Sequence, residues 1–161
     1  MSKRIAYILL ALLLAAPFSG AAQKKLILSP GVSYQKQLFA ELSVMYAETA
    51  MNHSGFGIYG PKLGVEVNFD PDNFIVAPKL GFEVDVLILS LRANIVSYIG
   101  SGNVDLRLLP ELGLSFFGLA NLSYGYGIPV LKHEFGDVSR HRVTLTFNLS
   151  RDLWRDLFGN D

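Results

Sequence analysis

The residues best suited to proton transfer in this chain are three histidines, His53, His133 and His141, and none stands in a motif that names a reaction. His133 beside Glu134, and Ser139 just before His141, supply the residue types of a nucleophile, a base and an orienting acid, as a lipid hydrolase in a barrel wall would need. Their spacing imposes no such arrangement, and exposed loop side chains account for the same residues. No metal-ligand spacing is recognisable among the histidines. YGYGIP and GSGN read as a strand and a turn without the helix that a phosphate-binding glycine loop requires. The chain has no cysteine, which excludes disulfide and thiolate chemistry. The sequence thus predicts no catalytic residue, no metal ligand and no cofactor.

A second set of charged residues does follow a pattern. GPKLGVEVNF, Gly60 to Phe69, returns as APKLGFEVDV, Ala77 to Val86, and is echoed by LPELGLSFFG, Leu109 to Gly118. In each, charges and glycines share alternate positions. Over the whole chain this face carries Glu41, Glu66, Glu83, Asp105 and Glu111 against Lys62, Lys79, Arg92, Arg107 and Arg142, interleaved with Gly31, Gly64, Gly81, Gly113 and Gly125. Equal numbers of each sign suit a closed interior, because a buried charge is tolerable when paired and costly when alone.

The elements that must position these charges are strands, since apolar and small or polar residues alternate with a period of two from Leu26 onward. Eight are expected, at roughly 25–35, 37–47, 58–69, 74–84, 87–98, 104–116, 119–128 and 141–150. The parity of the apolar face locates the turns, because residues paired across a hairpin point to the same side. It brackets DPDN at Asp70 to Asn73, a two-residue turn at Asp85 and Val86, GSGN at Gly100 to Asn103, and a turn at Phe117 to Leu119. Glu48 to Gly57 and Pro129 to Arg140 read as the two longest loops.

If Phe69 pairs with Phe74, Lys62 lies opposite Gly81 and Lys79 opposite Gly64. Each lysine then reaches diagonally, Lys62 to Glu83 and Lys79 to Glu66. The same reasoning puts Arg92 opposite Glu111 and Glu111 opposite Gly125. The Asp85–Val86 turn, however, sets Lys79 directly against Arg92. Pro30, Pro61, Pro78 and Pro110 fall inside strands, where each forfeits a ladder hydrogen bond, and bulges or strand ends are expected to absorb them.

Alternation fits either a soluble barrel with apolar residues inside, such as a lipocalin-like carrier, or a membrane barrel with them outside. Volume favours the second, because eight strands enclose little more than a snug filling of side chains and the apolar face is the bulky one. A filled lumen also disfavours an open pore. Met1 to Ala22 reads as an export signal, with Lys3 and Arg4, an apolar run from Ile5 to Ala16, and small residues at Ser19 to Ala22. Residues 23–150 form one barrel, and 151–161, RDLWRDLFGND, a short amphipathic tail. Lysine plus arginine and aspartate plus glutamate each number 14, so no nucleic acid is an obvious partner.

An export signal, eight alternating strands, a charged interior, Tyr34, Tyr46, Tyr59, Tyr124 and Tyr126 on the apolar face, and no cysteine together resemble the small bacterial outer-membrane β-barrels of the OmpA/OmpX type. GPKLGVEVNF, LRLLPELGLSFFG and NLSYGYGIPV also look like a poorly characterised family of exported barrels. The resemblance implies an all-β, eight-stranded antiparallel up-and-down transmembrane barrel in the outer membrane. It further implies lipid, export and barrel-assembly machinery as partners, and a structural or interaction role; a lipid-modifying enzyme and a soluble periplasmic carrier are the alternatives. The chain departs from the pattern in continuing past its last strand instead of stopping at a terminal aromatic.

Overall fold

A computed structural model describes residues 23–52, 55–70, 72–100, 102–131 and 135–150. The expected leader, the tail from Arg151, and His53, His133 and Glu134 lie outside them. The described residues form strands β1 (Gln23–Gln35), β2 (Gln37–Asn52), β3 (Gly55–Asn68), β4 (Val76–Val86), β5 (Leu89–Gly100), β6 (Asn103–Phe116), β7 (Ala120–Tyr126), β8 (Ile128–Pro129) and β9 (His141–Phe147). The two-residue β8 extends β7 in the same register against β6. With β7 and β8 taken as one stave, each stave pairs antiparallel with the next and β9 pairs with β1, so eight staves close into an up-and-down barrel with no free edge.

Alternation dictates which residues enter the lumen. In β4 and the two residues before it, Ile75, Ala77, Lys79, Glu83 and Asp85 are buried while Phe74, Pro78, Leu80 and Phe82 are exposed. The β3–β4 ladder sets Lys62 against Gly81 and Gly64 against Lys79. A Cβ at Gly81 would lie 2.1 Å from Asn94 Oδ1 and 2.5 Å from the Ala93 carbonyl. The glycine thus admits both the neighbouring strand and the lysine that crosses it.

Two turns differ from the sequence-based expectation. β4 and β5 pair Val86 with Leu89, so the hairpin turns at Leu87 and Ile88, not at Asp85 and Val86. Leu87 has φ of 54°, a left-handed conformation that its side chain does not advertise. A two-residue shift of a turn preserves parity, so every side chain keeps its face while the register slides. Arg92 consequently faces Glu83, and Lys79 faces Val96; the expected repulsion between Lys79 and Arg92 is absent. Glu48 to Gly57 is likewise no long loop, since β2 and β3 stay paired from Glu48↔Tyr59 to Asn52↔Gly55.

Pro30, Pro61, Pro78 and Pro110 need no bulge. At each, the ladder on one side lacks a pair or two and resumes in the same register: β1–β9 at Pro30, β2–β3 at Pro61, β4–β5 at Pro78, and β6 against β7 and β8 at Pro110. The seams on the other side, β1–β2, β3–β4 and β5–β6, run without a break. Interrupted and continuous seams therefore alternate around the wall.

Candidate functional site: the ion-paired lumen

All ten charged residues of the small-residue face are buried in the lumen. Lys62 Nζ donates to Glu83 Oε2 at 2.7 Å, and Arg92 Nε lies 3.1 Å from the same oxygen. Lys79 Nζ sits between Glu41, at 2.5 Å, and Glu66, at 3.0 Å. Arg142, from the far wall, donates to Glu66 at 2.9 Å and approaches Glu111 at 3.6 Å and Glu41 at 3.8 Å. Asp105 and Arg107 form a separate pair at 2.6 Å. Both diagonals of the repeated phrase are thus present, and Arg142 joins β9 across the lumen to β3. Neutral side chains bridge the charges: Asn94 donates to Glu111 at 2.9 Å, Thr144 to Glu111 at 3.0 Å, and Arg92 Nη2 to Thr146 at 2.6 Å.

This charged layer lies between two apolar ones. At the end where β1 begins and β9 ends, Ile27, Met45, Ala47 and Ile58 pack together with Leu119. At the opposite mouth Phe39, Ile75, Ala77, Val96, Tyr98 and Leu109 form a second cluster, completed by Val138 and Phe135 from the connection before β9. Its residues Phe135 to Ser139 fold into the mouth as a strap. Arg107 donates to the Ser139 and Val138 carbonyls at 2.8 and 3.1 Å, and Asp105 accepts from Phe135 N–H at 3.0 Å. Lys36 Nζ donates to the Gly136 carbonyl at 2.6 Å.

His141 lies outside the barrel near the mouth. Its Nδ1 bonds the Tyr124 hydroxyl, its ring stacks edge-on to Tyr126, and its backbone N–H donates to Ser139 Oγ at 3.0 Å. The Ser139 hydroxyl therefore meets the backbone of His141 rather than its imidazole. The sequence had no signal for the strap, because Phe135 and Val138 share no strand period. Asp85, which the sequence assigned to a turn, is a lumen residue.

The fold and interior define the class: a closed eight-stranded antiparallel β-barrel whose lumen is filled by ion-paired side chains. Compared with protein-family models, curated proteins and solved structures, the chain matches none.

Proposed function

We propose that this protein is a non-enzymatic barrel of the outer membrane, similar in plan to the OmpA/OmpX type, with a structural or interaction role exercised through its rims. The observation that carries this reading is the inversion of polarity across the wall. Leu63, Leu80, Leu112 and Phe116 are 64, 57, 57 and 71% exposed, while Lys79 and Arg92 keep only 4 and 5%. A water-soluble barrel would spread its charges outward, and an apolar surface on every stave is far larger than the patches that monomeric soluble proteins carry. In a bilayer the same surface is solvated by lipid.

Exposed aromatics gather near both ends, as an interfacial girdle requires: Tyr34, Phe69, Phe74 and Tyr126 toward the mouth, Phe116, Phe117 and Phe147 toward the other. Because outer-membrane barrels keep short turns inside and longer connections outside, the mouth closed by the strap faces the exterior. Lipid, the export pathway and the assembly machinery are the partners this reading requires. A carrier of apolar ligands would need Leu80, Phe82 and Leu145 inside, and none of the three is among the buried core.

Fractionation of cells expressing the full chain tests the proposal. The protein should stay with the membrane through a high-salt wash and migrate faster in a detergent gel unboiled than boiled. Recovery in the soluble fraction, with one mobility under both treatments, would overturn it.

A further inference from the structure

Along the staves exposed apolar residues alternate with buried side chains, and at two hairpin turns opposite the mouth the alternation stops. Val86, Leu87, Ile88 and Leu89 are apolar and all exposed, as are Phe116 and Phe117 where β6 turns toward β7. Runs of exposed apolar residues are a liability in water, so they mark a surface that meets something apolar. The hairpin turns at the mouth, QKQ, DPDN and GSGN, are polar.

The two apolar turns make one surface. Ser115 N–H donates to the Ile88 carbonyl at 2.8 Å, Leu89 faces Leu114 across the β5–β6 ladder, and the Phe116 and Phe117 rings meet edge to face at 5.7 Å. Leu114 and Leu112, both exposed, carry this patch onto the outer wall without a polar break. Outward charges at this end of the barrel occur, among the described residues, on β1 and β2 alone: Lys24 faces Glu48, and Glu48 accepts from the Tyr59 hydroxyl at 2.6 Å.

A lipid chain offers no hydrogen bonds, so a turn that enters hydrocarbon must bond its backbone from within. These turns largely do. The Phe116 carbonyl accepts from Leu119 N–H at 2.9 Å, and Gly118 N–H donates to Ser115 Oγ at 2.9 Å. The side-chain amide of Asn148 donates to the Gly118 carbonyl at 2.8 Å and its N–H to the Leu119 carbonyl at 2.7 Å. Ser115 and Asn148 are both buried, so the bonds come from the barrel and not from water.

We propose that the β4–β5 and β6–β7 turns are immersed in the acyl chains of the bilayer, so that this sector of the rim ends inside the membrane while the sector of Lys24 and Glu48 reaches its surface. The inference rests on the membrane reading above and adds lipid acyl chains as the partner of the turns. A docked protein fits less well, because the patch has no polar rim and runs on into the lipid-facing wall.

Nitroxide labels on single cysteines test this, since the chain has no cysteine of its own. Ile88→Cys and Phe117→Cys are compared in phospholipid vesicles with Leu80→Cys on the wall and Asp72→Cys in the exposed DPDN turn. Oxygen, which concentrates among acyl chains, and a water-soluble nickel chelate are the two relaxing reagents. The labels at 88 and 117 should lose nickel access and keep oxygen access, as the label at 80 does, while the label at 72 stays open to nickel. Nickel access at 88 and 117 with 80 still closed would overturn the immersion and leave the membrane assignment standing. Nickel access at 80 as well would overturn both. Labels at 88 and 117 closed to both reagents would also overturn the proposal, because protein would then cover the turns.

Discussion

β4 is held by two neighbours on different terms. Against β3 its ladder is continuous from Gly57↔Val86 to Val67↔Val76, and each lysine of the repeated phrase crosses a glycine of the other strand to reach the other's glutamate. Against β5 the ladder lacks pairs at Ala77 and Pro78, and a shallow apolar groove lined by Leu63, Pro78, Leu80 and Ile95 opens on the outer face there. The β4–β5 seam compensates inside: Glu83 meets Arg92 directly across it, and Arg92 continues to Thr146 on the far wall. The contrast teaches that lumen ion pairs cross continuous and interrupted seams alike, so the side-chain network ties the staves together independently of the backbone ladder.

Three substitutions on or beside β4 should separate these contributions. Glu66→Leu, on the continuous seam, removes the acid shared by Lys79 and Arg142 and strands buried cations, so it should cost about 3–5 kcal/mol of unfolding free energy, read from urea denaturation in detergent. Gly81→Val should cost about 1–3 kcal/mol, because its side chain would drive into Asn94 and the Ala93 carbonyl and displace Lys62. The smallest effect has the opposite sign. Pro78→Val restores a donor on the interrupted seam, worth about 1–3 kcal/mol where a carbonyl lacked a partner. The proline's constraint on the unfolded chain, about 0.4–1 kcal/mol, is lost in return. A net gain of about 1 kcal/mol should therefore appear in the same denaturation series. If Glu66→Leu proved as mild as a surface change, the network would be filling only, and the contrast between the seams would dissolve.

The continuous seam was legible in the sequence because Phe69 and Phe74 flank DPDN, whose aspartates and asparagine build a turn locally; Asp72 N–H indeed donates to Asp70 Oδ1 at 3.0 Å. The interrupted seam was not. Leu87 and Ile88 turn the chain without a glycine, asparagine or aspartate, and sliding the turn by two residues leaves the inside and outside faces unchanged, so hydropathy carries no correction. That degeneracy misplaced Asp85 and set Lys79 against Arg92. The ten charges could be assigned to one face from parity, and to the lumen from the bulk of the opposite face, but which of them touch across it depends on barrel closure, which no local pattern encodes. Glu48 to Gly57 read as a loop because glycine and asparagine are poor strand formers, whereas the pairing already set between β2 and β3 continues as far as Asn52↔Gly55.

Lys79 and Leu80 are neighbours in sequence and face opposite sides of the wall, which makes position 80 the most direct probe of what lies outside it. The measurement is the folding free energy of Leu80→Arg relative to the parent in lipid vesicles. A charge on the lipid face near the middle of a bilayer should cost about 2–4 kcal/mol. A variant that folds as stably as the parent there would mean that position 80 meets water, and the membrane assignment would fail.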